Sequence, residues 1–167
     1  MEHVVYIALG SNLGDRLGYL RKAYQFLKKI TESSIAASPI YESEPVGPSD
    51  NDYLNAVVRI STSLTPRDLL LKCKSFELDV GRNQSAPRWS NRVIDLDIIF
   101  YDDLHLDEEK LKIPHPSYQD RLFVLLPLLN LNPEGRDPVS GKFIEEMITC
   151  APKIRITETN LSWDADA

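Results

Sequence analysis

The apolar positions of this chain switch between a period of two and a period near 3.6, which predicts strands and helices in alternation. Val4–Leu9 is apolar on both faces, as a strand inside a covered sheet would be. Gly10–Asp15 turns the chain into a helix to about Ile30, with Leu17, Leu20, Tyr24 and Leu27 on one stripe. Ile35–Tyr41 reads as a second extended segment, and the Pro-, Gly- and Asp-rich stretch Glu44–Asp52 as a loop that cannot be helical. Tyr53–Thr62 alternates, with Leu54, Ala56, Val58 and Ile60 facing one way and Tyr53, Asn55, Val57 and Arg59 the other. Thr65 is placed to cap a helix that starts at Pro66, runs to about Val80 and stops at Gly81. Its buried stripe is Leu69, Cys73, Phe76 and Val80, with Lys74 and Glu77 together on the flank.

Arg82–Asn91 has no periodicity, and loops of that length are often lids or binding loops. Val93–Phe100 is a β-branched run that predicts a strand, followed by an acidic turn at Asp102-Asp103 and a return strand over Leu104–Leu106. Ile113-Pro114-His115-Pro116 leads into a helix over Ser117–Leu129, carrying Leu122, Leu125, Leu126 and Leu129 and kinked by Pro127. A last helix is predicted over Phe143–Cys150. Residues 1–160 read as one domain and 161–167 as a loose acidic tail. Several connections look like hairpins, so the expected class is α+β, a sheet covered by helices, rather than a doubly wound parallel fold.

The strand at Val93–Phe100 carries the most informative polar residues. Asp95 and Asp97 project from one face, with Ile94, Leu96, Ile98 and Phe100 on the other. Their Cα atoms would stand ~6.6–7 Å apart. Two carboxylates about 6 Å apart repel by roughly 3 kcal/mol at an effective dielectric near 20. One reading is a polar strand face open to solvent; the other is a divalent-cation site, because oxygen ligands suit Mg²⁺ and the ion removes the repulsion. Arg82, Arg88 and Arg92, just upstream, favour the second, since cations beside paired carboxylates suit Mg²⁺ with a polyphosphate.

Composition narrows the alternatives. With 167 residues, 43% hydrophobic and 26% charged, the chain is an ordinary globular one. Its net charge of −6 argues against nucleic-acid binding. No apolar stretch approaches the ~20 residues of a membrane span, and no basic-then-apolar leader opens the chain. Cys73 and Cys150 show no metal-binding spacing, which fits buried, free thiols in a reducing cytoplasm and argues against zinc. No P-loop, protein-kinase or Rossmann signature follows the Gly10–Gly14 turn.

Six segments in order resemble the family of 6-hydroxymethyl-7,8-dihydropterin pyrophosphokinases. They are Ala8–Arg16, Tyr41–Pro48, Asp52–Ala56, Glu77–Arg82, Arg88–Ile98, and Ile113–Pro116 followed by Arg121–Leu125. The resemblance spans residue 4 to about residue 130 and departs from the family at Gln84, Ser90 and Asn91. It implies a ferredoxin-like α+β fold, a mostly antiparallel sheet between helices in three layers. It also implies transfer of pyrophosphate from ATP to the pterin hydroxymethyl group, with release of AMP. Asp95 and Asp97 match the family's ligands for two Mg²⁺ ions, and Arg82 and Arg92 its catalytic phosphate-bracing arginines. The implied pterin site is Ser43, Pro45, Val46, Tyr53, Asn55, Trp89 and Phe123. The implied ATP site is Lys74, Glu77, Arg82, Arg88, Arg92, Ile98, Lys110, Lys112, His115 and Arg121. Asn55 suits the pterin edge because its amide both donates and accepts. No convincing general base stands out, and His3 and His105 look incidental. Expected partners are the two small substrates alone, with no nucleic acid or membrane, for a cytoplasmic monomer. Two rivals stay open: a ferredoxin-like regulatory or RNA-binding module, and another Mg²⁺-dependent nucleotide enzyme such as a nucleotidyl transferase.

Overall fold

Two helical crossovers on the same side of one sheet set the architecture. A computed structural model describes residues 1–47, 50–81 and 93–164. β1 (His3–Ser11) passes through α1 (Arg16–Ile30) to β2 (Ile35–Ala37) and β3 (Tyr41–Ser43). The chain returns as β4 (Tyr53–Thr62), and α2 (Pro66–Gly81) precedes β5 (Asp95–Tyr101). Strand order β5-β1-β4-β3, with every pairing antiparallel, makes this the β-α-β-β-α-β arrangement of ferredoxin-like domains. β2 pairs with β4 farther along, and a late strand, β8 (Ile156–Glu158), extends the sheet beyond β3. A separate hairpin is formed by β6 (Leu106–Glu108) and β7 (Leu111–Ile113). α3 (Leu122–Leu131) and α4 (Ile144–Cys150) complete the described elements.

Strand alternation sorts the core into two layers. Val5, Ile7 and Leu9 of β1, with Leu54, Ala56, Val58 and Ile60 of β4, meet Leu20 and Leu27 of α1 and Leu69 and Cys73 of α2. Tyr6, Ala8 and Val57 face the opposite way, against Leu125 and Leu128 of α3 and Ile144 and Met147 of α4. The expected three layers are therefore present. The helix starts follow local chemistry: Asp15 accepts from Gly18 N–H (3.0 Å) to cap α1, and Thr65 accepts from Asp68 N–H (3.1 Å) at the start of α2. Gly81 falls on the last residue of α2 rather than just past it.

Several predicted elements are corrected. The single segment Ile35–Tyr41 is split, because Ser38 pairs with Val57 through its own N–H and its hydroxyl while Pro39 has no N–H to offer a ladder. Leu104–Leu106 does not return to the main sheet; Leu104 closes a turn onto Tyr101, and β6 pairs with β7 instead. The helix expected from Ser117 begins only at Leu122, after a 3₁₀ turn at Tyr118–Asp120 and an extended Arg121, and it passes through Pro127 to Leu131. Phe100 is not on the Leu96 and Ile98 face: the register of β5 against β1 shifts between Ile98 and Phe100, and Phe100 joins Tyr6 and Tyr118 in the other layer. Of the tail expected to be loose, residues 165–167 lie outside the described residues; before them, Arg21 holds the Ser162 carbonyl (2.7 and 3.0 Å) and Trp163 donates to the Ser38 carbonyl (2.8 Å) while its ring meets Tyr24.

A buried polar clamp fastens the segment before α3. Tyr118, 1% exposed, donates to Asp137 at 2.5 Å, and the other Asp137 oxygen accepts from Val139 and Ser140 N–H. Burial pushes the Asp137 carboxyl up, but the bonds from Tyr118, Ser140 and Val139 outweigh it and leave it below its ordinary value. Tyr118→Phe removes one donor from a buried acceptor and is expected to cost about 1–3 kcal/mol in urea unfolding. The sign for pH follows from the depressed carboxyl: its stabilisation is present above the unfolded carboxylate range and lost as pH falls through the lower folded value. An Asp137→Asn variant should accordingly lose less stability on acidification than the wild-type protein does.

Candidate active site

The register of three strands assembles the site. Gly10 pairs with Asn55 on one side and Asp95 on the other, and Ala8 pairs with Val57 and Asp97. Residues two apart share a face, so Tyr53, Asn55, Gly10, Ala8, Asp95 and Asp97 all point to the α3 side of the sheet. There they line a cleft of about 230 Å³, closed by Val46, Arg121, Phe123 and Val124. Its floor is kept open by the smallest residue of β1: a Cβ on Gly10 would stand 3.7 Å from both Asn55 Oδ1 and a Tyr53 ring carbon. That is ordinary contact distance, so Gly10→Ala is compatible with the fold and fills only the cleft. It is expected to raise KM for a flat ligand by about tenfold, on the order of 1.4 kcal/mol, with little change in thermal stability. A wild-type KM in steady-state assays would show that nothing approaches this backbone.

Asn55 is 2% exposed and its amide donates to Ser43 Oγ at 2.9 Å. This bond orients the amide and leaves its carbonyl edge at the cleft floor beside Gly10. Arg121 stands with its guanidinium 5.8 Å from the centroid of the Phe123 ring, so the cleft wall opposite the sheet is both aromatic and cationic.

A second cavity of about 240 Å³ adjoins the first, and Asp97 belongs to both. Lys74, Ile98, Lys110, Lys112 and His115 line it. Glu77 lies behind it, where its carboxylate accepts from the Leu96 N–H at 2.6 Å and pairs with Lys74 at 3.3 Å. That carboxylate therefore pins the backbone between Asp95 and Asp97. Burial pushes the Glu77 carboxyl up, and the charge of Asp95 adds to this, against the Leu96 and Lys74 bonds. Burial likewise lowers the His115 pKa, against the attraction of Asp97. A neutral His115 accepts from the Ser117 N–H through Nδ1 (3.2 Å), so its proton sits on Nε2.

Of the expected pterin residues, Val46, Tyr53, Asn55 and Phe123 converge on the first cleft, and Ser43 supports Asn55 from behind. Pro45 does not line it, whereas Glu44 on one side and Val46 on the other do. Of the nucleotide set, Lys74, Ile98, Lys110, Lys112 and His115 gather around the second cavity. Arg121, expected with them, lines the first cleft. Arg82, Arg88, Trp89 and Arg92 lie outside the described residues, as do Gln84, Ser90 and Asn91. Sequence reasoning missed Ala8, Gly10, Ile99 and Val124; a pair of small residues two apart at the end of a buried strand was the available signal for the first two. Thiol chemistry has no place here. Burial and the charge of Glu77 push the Cys73 thiol up to about 12; Cys150, expected to be buried as well, is exposed, and neither thiol lines either of these two cavities.

The donor set fits Mg²⁺. Among the described residues no group of three His, Cys, Asp or Glu side chains could hold a metal by itself. Mg²⁺ is commonly held by one or two carboxylates together with substrate phosphates, and Asp95 and Asp97 supply such a pair.

Two cavities meeting at one carboxylate suit an enzyme that brings two ligands together for group transfer. Comparison with known proteins agrees. The profile of the 7,8-dihydro-6-hydroxymethylpterin-pyrophosphokinase (HPPK) family matches residues 6–133. The 2-amino-4-hydroxy-6-hydroxymethyldihydropteridine pyrophosphokinase of Pseudomonas aeruginosa is 39% identical over 150 residues, covering 89% of this chain and 91% of its own. The Aquifex aeolicus protein of the same name is 40% identical, covering 85% and 88%. Among solved structures, a triple mutant of Plasmodium falciparum HPPK-DHPS shares the fold with a TM-score of 0.71 at 16% identity. That match covers 90% of this chain and 44% of the Plasmodium one. The chain belongs to the HPPK family.

Proposed function

We propose that this domain transfers pyrophosphate from ATP to the hydroxymethyl group of 6-hydroxymethyl-7,8-dihydropterin, giving AMP and the dihydropterin diphosphate in folate biosynthesis. The observation that carries this reading is the shared Asp97 wall between a cleft with an oriented amide and aromatic sides and a cavity lined by three lysines and a histidine. The pterin would lie across Gly10, its amide-like edge on Asn55 and its rings between Tyr53 and Phe123. Offset stacking adds about 0.5–1.5 kcal/mol per ring pair. The triphosphate would occupy the second cavity, met by Lys74, Lys110, Lys112 and the Nε2–H of His115.

In the reaction the hydroxymethyl oxygen bonds to the β-phosphorus and the bond from that phosphorus to the α,β-bridging oxygen breaks. The bridging oxygen leaves with AMP, and the hydroxyl proton is lost to solvent. Asp95 and Asp97 would hold Mg²⁺, which supplies charge neutralisation of the phosphates and draws the two substrates together. Arg82 and Arg92 would brace the transferred phosphates; an arginine that stabilises transition-state charge is worth ~10³–10⁵ in rate. Glu77 keeps Asp95 and Asp97 aimed through the Leu96 amide. Trp89, in the segment from 82 to 92, is assigned to closing the pterin side.

Incubation with ATP, Mg²⁺ and the hydroxymethyl-dihydropterin tests this directly. AMP as the nucleotide product supports pyrophosphoryl transfer. ADP would mean an ordinary kinase, free pyrophosphate a nucleotidyl transferase, and unchanged ATP a binding module.

A further inference from the structure

Glu44, which lines the first cleft, and Asp52, which leads into β4, are both held by one residue far away in sequence. β8 runs beside β3, with Ile156 opposite Ser43, which brings Arg155 to the mouth of the first cleft. The Arg155 carbonyl accepts from the Glu44 N–H at 3.0 Å, and the Arg155 N–H donates back to the Glu44 carboxylate. Its guanidinium then reaches Asp52, with both terminal nitrogens on the two carboxylate oxygens at 3.1 Å. Arg16 completes the second anchor by donating to the Asp52 carbonyl at 3.0 Å and pairing with Glu42 at 2.8 Å. Glu44 lines the cleft itself, and Asp52 immediately precedes Tyr53, which also lines it.

We propose that Arg155 is a positioning residue for pterin binding. By holding Glu44 and Asp52 at a fixed separation it sets the cleft width between Val46 and Tyr53. The inference rests on the function proposed above and extends it. Residue 155 lies beyond residue 133, where the family match ends, so the family resemblance does not assign this role. The two-pronged geometry needs a planar fork, which lysine cannot reproduce. The hydrogen-bonded Arg155 also holds the Asp52 carboxyl below its ordinary value, so the pair is charged throughout the neutral range. Because Arg155 is 61% exposed, the pair adds little to global stability and acts on local geometry.

Arg155→Ala is expected to raise KM for the pterin roughly two- to fivefold, while KM for ATP and kcat stay within about twofold of wild type. Arg155→Lys should fall between the two. Arg155→Asp combined with Asp52→Arg should recover part of the loss. Added salt should weaken pterin affinity, read by titration calorimetry, in the wild-type protein but not in Arg155→Ala, since screening acts on the anchor and the pterin carries no charge to screen. Asp52→Asn keeps the backbone bonds to Glu44 and gives the same readout if Arg155→Ala does not fold. Wild-type pterin affinity in either variant, or equal losses for pterin and ATP, overturns the inference. A wild-type protein that bound no pterin would overturn the proposed function together with it.

Discussion

Asp97→Asn is expected to lower kcat by about 10³-fold or more and to leave the protein at least as stable as the wild type. The two signs have one cause. Asp97 faces the same side as Asp95, two residues along the strand, and both line the first cleft. Without Mg²⁺ the two carboxylates repel by roughly 2–3 kcal/mol at an effective dielectric near 20, and the lysines, His115 and Arg121 that line the two cavities offset part of it, so neutralising one does not destabilise the free protein. In the proposed complex with Mg²⁺ and a triphosphate, the same change would delete a charged ligand from the wall between the two cavities. Asn keeps the size of the side chain, so packing does not enter. A discontinuous assay of AMP release and a thermal melt in the absence of Mg²⁺ check the two halves separately. Near-normal turnover would remove the metal role, and a large drop in melting temperature would make Asp97 a structural residue. ATP affinity in Mg²⁺ should also fall, since the carboxylate borders the cavity assigned to the triphosphate.

Asn55→Ala is expected to lower kcat/KM for the pterin by roughly 10²–10³, with KM for ATP unchanged. The amide is 2% exposed and already oriented by Ser43, so its remaining hydrogen-bonding groups are fixed toward the cleft before any ligand arrives. A ligand edge that pairs with that amide loses its partner at a nearly fully buried position, where the loss is largest. Asn55→Asp separates recognition from volume: it is the same size but no longer donates to Ser43, and it places a second acceptor where an amide N–H was needed. Both variants should therefore fail in pterin binding. Calorimetric titration reads this directly, and unchanged pterin affinity in either variant would detach Asn55 from substrate recognition.

Much of the domain was legible because local rules act on contiguous residues. The alternation of Tyr53–Thr62 placed Leu54, Ala56, Val58 and Ile60 on one side, and they are buried together. Thr65-Pro66 marked the start of α2, and Thr65 caps it. Asp95 and Asp97 were assigned one face from strand period alone, and both point to the cleft. The reading failed where a distant partner decided. Phe100 changed layers because β5 carries a bulge against β1, which nothing within the run Val93–Phe100 encodes. Leu106 turned away from the main sheet to pair with Ile113, and Arg121 came to the first cleft because an extended residue, not a helical one, precedes α3.

The order of polar and apolar residues, with its turn and cap chemistry, was sufficient for the strands and helices, the α+β class, the carboxylate pair and, through six ordered segments, the family. Period and capping depend only on neighbours a few positions apart. Only the folded sheet decided that Gly10 lies between Asn55 and Asp95, that Glu77 holds the amide between two aspartates, and that Arg155 grips both Glu44 and Asp52. Each of those contacts joins separate elements: β4, β1 and β5 meet at Gly10, α2 lies against β5 at Leu96, and β8 runs beside β3 next to Arg155.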